Sequence, residues 1–224
     1  MNLGILRNVD ALELKALTQG ALDDLGALKV MPKDFYAQFH QETLSAFCLQ
    51  QGCYALPTIE LLNLINLKIM EVSPSRNAIE IGSGNGVIGQ ALGITCTDSW
   101  MQEDPAIKAH YAQVKQPTVP YGRHVVRLDA HAAVDHYRPE VVVAAWVTHR
   151  YNPLEHERGG NAWGVDEYLL LEQIKRYVFV GNLKTHENKP LLAQAHEVIQ
   201  GDFLFSRSLS SDQCALLIWE GGRK

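Results

Sequence analysis

The sequence predicts an α/β fold: a doubly wound, mostly parallel seven-stranded sheet with a terminal antiparallel hairpin, carrying a helical cap at its N-terminus. Three observations predict it. The apolar pattern is helical up to about residue 75 and afterwards alternates between short apolar runs and helical stretches. One of those runs, residues 141–146, is apolar throughout, as a strand covered on both faces must be. A glycine-rich turn, Gly82-Ser83-Gly84-Asn85-Gly86, sits between a strand-like and a helix-like run. Strands alternating with helices imply parallel strands joined by right-handed crossovers.

The elements follow in order. Residues 10–28 carry Leu12, Leu14, Leu17, Leu22, Leu25 and Leu28 at three- and four-residue steps, the spacing of a helix. Residues 33–51, with Phe35, Phe39, Leu44 and Phe47, predict a second. Pro57 and Thr58 begin a third, whose apolar positions run from Leu61 to Ile69. Residues 1–75 are thus expected to form a cap or lid, packed as one compact unit with a sheet domain over 76–224. Strands are expected at 77–81, 94–98, 124–128, 141–146, 177–181, 202–206 and 214–219. The last two, joined by a short Ser/Asp segment, read as a hairpin. Helices are expected over 87–92, over 105–113 behind an Asp104 cap, and over 166–176 and 191–199.

Composition narrows the function. A chain of 224 residues, 46% hydrophobic and 20% charged, fills one core. A formal charge of −5 argues against a general nucleic-acid binder, which needs a basic face for phosphates. The four cysteines, Cys48, Cys53, Cys96 and Cys214, form no C-x-x-C pair and no Cys/His set with zinc spacing, so no metal site is expected. Residues 1–10 lack a basic segment followed by an apolar core, and no apolar stretch approaches the ~20 residues of a membrane span. A cytoplasmic setting with reduced thiols is expected.

The glycine turn fits two templates. Gly84 to Gly89 spells G-x-G-x-x-G, the dinucleotide fingerprint of nicotinamide-dependent oxidoreductases. There an acidic residue follows about 20 residues later. Here the next is Asp98, fourteen residues on, and Gly82 already interrupts the strand, so that frame is disfavoured. The other template, E/D-x-G-x-G-x-G, is matched at every fixed position by residues 80–86.

In that motif the chain resembles the class I (Rossmann-like, seven-stranded) S-adenosylmethionine-dependent methyltransferases. The resemblance implies a fold in which the seventh strand inserts antiparallel beside the fifth. It also implies S-adenosylmethionine as cofactor, cradled by Glu80, Gly82, Ser83, Gly84, Asn85 and Gly86. Asp98, followed by Ser99, falls where the family holds the ribose hydroxyls. Asp129 and Ala130 fall beside the adenine amino group. Tyr54 lies in a segment that often contacts the methionine moiety, and Trp146 ends the fourth strand at the switch point. The chemistry agrees: hydroxyls donate, carboxylates accept, and ligands of open α/β sheets bind beyond the carboxyl ends of the strands. One such Asp alone is more often a helix cap; three acidic residues at three successive strand ends favour a site.

The first and fourth strands should be neighbours, so residues 147–165 face the reactive end. A loop this long in a compact domain is often functional, and it carries His149, Tyr151, His156 and Trp163. Family members that methylate nucleobase amino groups or glutamine amides carry N/D-P-P-Y/F here. This chain has Ala145-Trp146-Val147-Thr148, so a small-molecule acceptor is the expectation. His149 is the candidate general base, with His186 second. The competing reading is a protein that binds S-adenosylmethionine or S-adenosylhomocysteine without transferring a methyl group. Neither a nucleic-acid nor a membrane partner is expected.

Overall fold

The computed structural model describes residues 9–113 and 117–223. The cap begins with α1 (Ala11–Ala21), whose first turn is capped by the Asp10 carboxylate accepting from the N–H groups of Leu12 and Glu13. The leucine spacing predicted a longer helix. It stops because Asp23 accepts from the N–H groups of Leu25 and Ala27 and closes a turn at Gly26 (φ +79°), leaving Leu25 in solvent. The second predicted helix is broken into α2 (Lys33–Tyr36) and α3 (Gln41–Gln51). These helices bury Leu17, Tyr36, Leu44 and Phe47 in a small core of their own.

Thr58 is the N-cap of α4 (Ile59–Met70), with Pro57 just outside it. Its hydroxyl accepts from Leu61 N–H at 3.1 Å and donates to the Phe203 carbonyl at 2.8 Å. Leu61, Ile65 and Ile69 then lie along one face of the sheet.

The sheet comprises β1 (Ala78–Ile81), β2 (Thr95–Asp98), β3 (Val126–Arg127), β4 (Val141–Ala145), β5 (Arg176–Asn182), β6 (Glu197–Ile199) and β7 (Cys214–Glu220). The order is β3-β2-β1-β4-β5-β7-β6. The first five strands are parallel, and β7 runs antiparallel to both β5 and β6. This is the seven-stranded, doubly wound arrangement read from the sequence, with the seventh strand beside the fifth. Helices α5 (Val87–Leu92) and α4 cover one face, and α7 (Ala130–Tyr137) and α8 (Glu167–Gln173) the other; α6 (Pro105–Gln113) follows β2. The strand period of two explains the unbroken apolar run in β4. Val141 and Val143 enter one core, Val142 and Ala144 the opposite one.

Two further expectations are corrected, and one helix is new. The helix foreseen over 191–199 is a 3-10 turn (Pro190–Ala193) followed by β6, because 197–199 pairs with Leu216, Leu217 and Ile218 of β7. The strand foreseen over 202–206 is instead a turn, closed by Leu204 N–H donating to Gly201 O, that leads into a segment bonded to the cap: Leu56 N–H donates to Phe205 O, and Arg207 N–H to Tyr54 O. Helix α7, which the sequence reading did not assign, follows β3 and buries only Ala133 and Val134.

Thr58 joins the cap to that turn through Phe203, and it is fully buried. Thr58→Ala removes the helix cap and the donor to Phe203 together. We expect it to lower stability by about 1–3 kcal/mol in urea unfolding. A loss below about 0.5 kcal/mol would show that neither bond holds the cap.

Candidate functional site

The carboxyl ends of β1 to β4 open onto one cavity of about 890 Å3. That is near the upper end for ligand sites. Glu80, Gly82, Ser83, Gly84, Asn85, Asp98, Ser99, Asp129, Ala130, Trp146 and Tyr54 all line it. Gly86 does not. It starts α5 at φ +73°, where a Cβ would lie 2.5 Å from His124 Nε2, so its glycine serves packing.

The turn after β1 is built on two left-handed glycines. Gly82 and Gly84 each have φ +55°. A Cβ on Gly82 would run into the Val147 side chain, and one on Gly84 would come within 2.9 Å of Val119 Cγ1. Neighbours hold the turn in place. Ser83 donates from both N–H and Oγ to the Thr97 carbonyl at 3.0 Å. Gly84 N–H donates to Asp98 Oδ2, and Trp100 N–H to Asp98 Oδ1, both at 2.9 Å. Burial raises the Asp98 carboxyl above the usual carboxylate range, and these two N–H groups oppose the rise.

Glu80 is also fully buried, and its Oε2 accepts from Gly89 N–H at 2.9 Å. Burial pushes its carboxyl up to about 8 against the pull of that N–H, and the nearby Asp98 charge adds to the rise. Asp129 is exposed and is the N-cap of α7, with Oδ1 accepting from His131 and Ala132 N–H at 3.0 Å. It thus combines the helix-cap role with a place in the cavity wall.

Beyond β4 the wall is aromatic. Trp146 adopts φ +60°, a strained conformation for a bulky residue. Its N–H donates to Val180 O at 2.9 Å. Its ring lies between Tyr54, at 5.8 Å between centroids, and His186, at 5.1 Å. The Arg207 guanidinium sits 3.7 Å from the centre of the Tyr54 ring. Residues 148–151 then run alongside 161–165: Arg150 N–H donates to Val165 O, Val165 N–H to Thr148 O, and Tyr151 N–H to Asn161 O. Thr148, Arg150, Asn161 and Trp163 line the cavity from this loop.

The two histidines proposed from sequence lie elsewhere. His149 lines a second depression of about 270 Å3, its ring packed on Gly160 and its Nε2 buried without a partner among the described residues. Burial lowers its pKa, and the Lys189 charge adds to the effect. His186 is pushed down to about 4 by burial and lies against Trp146 and Phe179. Tyr151 belongs to the second depression, and Trp163 to the large cavity.

Sequence reasoning missed Arg150 and Asn161, although both fall within the long loop it singled out. It also missed His131, next to the predicted Ala130, and Tyr111 and Tyr121, which only tertiary packing brings to the wall. Tyr121 stacks on Trp100 with ring centroids 5.1 Å apart. The four cysteines are buried and free, and the described residues contain no cluster able to hold a metal ion. No helix among them is long and apolar enough to cross a membrane.

No protein-family model matches the chain, and no curated protein matches it. Among solved structures it is similar to WbdD, with TM-score 0.43 and 12% identity over 73% of this chain and 40% of that one. It is also similar to a SAM-dependent methyltransferase from Agrobacterium tumefaciens, with TM-score 0.33 and 11% identity over 74% of this chain and 62% of that one. The 23S rRNA methyltransferase ErmE gives TM-score 0.35 and 16% identity over 74% of this chain and 70% of that one. The chain therefore spans less than two thirds of the first two.

The raised Glu80 carboxyl has a measurable consequence. The folded chain holds that proton up to about pH 8, whereas an ordinary glutamate releases it near 4.5. Between those values the folded state binds more protons, so this group makes stability fall as pH rises, by at most about 1.4 kcal/mol per pH unit, and levels off above them. Glu80→Gln keeps an acceptor for Gly89 N–H and should flatten the fall in urea titrations from pH 5 to 8. An unchanged slope would place its origin in other groups.

Proposed function

We propose that the chain is an S-adenosylmethionine-dependent methyltransferase acting on a small molecule. The observation that carries this reading is that one cavity contains both the glycine turn with its carboxylates and the wall built by the post-β4 loop. Bound at the glycine turn, the cofactor would supply an electrophilic methyl group on a sulfonium sulfur. Each Asp98 oxygen accepts one backbone N–H and keeps a lone pair for a ribose hydroxyl. Asp129 Oδ2, free of the helix cap, suits the adenine amino group. Glycines at 82 and 84 let the turn take its left-handed conformation while packing directly against Val147 and Val119 of the cavity wall.

Thr148, Arg150, Asn161 and Trp163 would hold the acceptor opposite that floor, with Tyr54 and Trp146 completing the wall. Their task is alignment, because methyl transfer is an in-line displacement that gains most from holding nucleophile and methyl in register. His149 and His186 lie behind the wall, which supports a role in supporting the loop rather than in moving a proton. The buried free thiols agree with a reducing, cytoplasmic setting.

Isothermal titration with S-adenosylmethionine, S-adenosylhomocysteine and NADH tests the reading. We expect the first two to bind and NADH not to. Asp98→Ala should weaken binding of both by tenfold or more, about 1.4 kcal/mol. Binding of NADH alone would restore the dinucleotide frame, and binding of none would remove the cofactor assignment. Methyl transfer to a panel of small acceptors then separates an enzyme from a protein that only binds the cofactor.

A further inference from the structure

The loop that forms the far wall of the cavity begins just past β4, which ends at Ala145, and returns to the fold at Glu167, the first residue of α8. One side chain reaches both ends. Lys189 Nζ lies 2.7 Å from each Glu167 carboxylate oxygen and 3.3 Å from the Val147 carbonyl. The three N–H donors of its ammonium thus meet three acceptors. Tyr177 OH, from β5, donates to Glu167 Oε1 at 2.8 Å, and the ammonium sits 4.6 Å from the centre of the Phe179 ring. The Lys189 and Glu167 side chains are 0% and 2% exposed.

Burying this pair is expensive, and well-packed apolar residues commonly give equal or greater stability. Stability alone therefore does not account for it; location does. Lys189 ties the β5–β6 connection to the start of the loop and to its end, across separations of 42 and 22 residues. Val147, whose carbonyl it holds, is the residue whose side chain occupies the space a Cβ on Gly82 would need. Fixing Val147 therefore fixes the seam between the glycine turn and the loop. The preceding residue, Trp146, is held at a positive φ, and such strain persists only where its surroundings over-determine it.

We propose that Lys189 and Glu167 form a clasp that closes the post-β4 loop at both ends and so sets the shape of the acceptor half of the cavity. Neither side chain lines that cavity, so both are positioning residues. Naming this wall the acceptor half rests on the methyltransferase reading; the clasp itself does not. The loop it closes contains Arg150, Asn161 and Trp163, and the parallel backbone bonds that space them depend on Val147 and Glu167 staying in place.

Backbone amide hydrogen exchange on the full chain tests the clasp. Lys189→Met alone strands a buried carboxylate and is expected to unfold much of the protein. The double variant Lys189→Met with Glu167→Gln removes both charges together and leaves an acceptor for Tyr177. In it, the amides of Arg150, Tyr151, Asn161 and Val165 should exchange about tenfold faster or more, while those of Val142 and Val178 in β4 and β5 keep their wild-type protection. Wild-type exchange in the loop would overturn the proposal. So would loss of protection in loop and core together, up to unfolding, which would make the pair a general stabiliser. A wild-type chain that binds no S-adenosylhomocysteine would remove the methyltransferase reading and leave the exchange comparison valid.

Discussion

The glycine turn after β1 cannot hold itself, and the site depends on what holds it. Its left-handed glycines pack against Val147 and Val119 and offer no side chain of their own to anchor the chain. Two buried carboxylates take that role. Asp98 binds the turn to the end of β2 through Gly84 N–H. Glu80 binds β1 to α5 through Gly89 N–H, and can do so because a Cβ at 89 would lie 2.7 Å from its Oε2. Both carboxyls are raised by burial, so the fold keeps unfavourable electrostatics beside the cavity. Perturbed groups that converge in a cleft are a mark of functional sites.

What the sequence made legible was local. The spacing of Glu80, Gly82, Gly84 and Gly86 and the acidic residues at successive strand ends are fixed by a few neighbouring residues, and the structure brings nearly all of them to one wall. The choice of pairing partner is not local. Residues 197–199 and 202–206 both have extended character, and Phe203 and Phe205 alternate as a strand should. Only tertiary structure decides that the first pairs with β7 and the second with Leu56 and Thr58 of the cap. The same limit explains Tyr121, which reaches the wall across a segment with no strong pattern. It explains His149 as well, because a position three residues past a strand end does not say which side of a loop the ring takes.

The cap is laced to the segment between β6 and β7 rather than resting on it. Gln41 Nε2 donates to the carbonyls of Ser206 and Ser208, and Ser45 Oγ to that of Arg207. Arg207 in turn covers the Tyr54 ring. Tyr54 is therefore placed by a chain of bonds running from the cap through the strand connection, and its side of the cavity is part of the framework. On the side of the post-β4 loop, by contrast, Trp163 is 60% exposed and Arg150 reaches solvent.

That division assigns the end of β4 a particular place. In front of it, Val147 packs against Gly82, so the glycine turn and the loop share a seam. Behind it, the Lys189 ammonium holds the Val147 carbonyl and the Glu167 carboxylate. From the cap side, Tyr54 packs on Trp146, and from the β5 side His186 does the same. Trp146, packed by Tyr54 and His186 and followed by the anchored Val147, can keep a left-handed backbone that a free loop would relax. The strain at Trp146 is then the local expression of a wider condition. Three parts of the chain that are distant in sequence meet at one strand end, and the cavity has its shape only while all three stay in register.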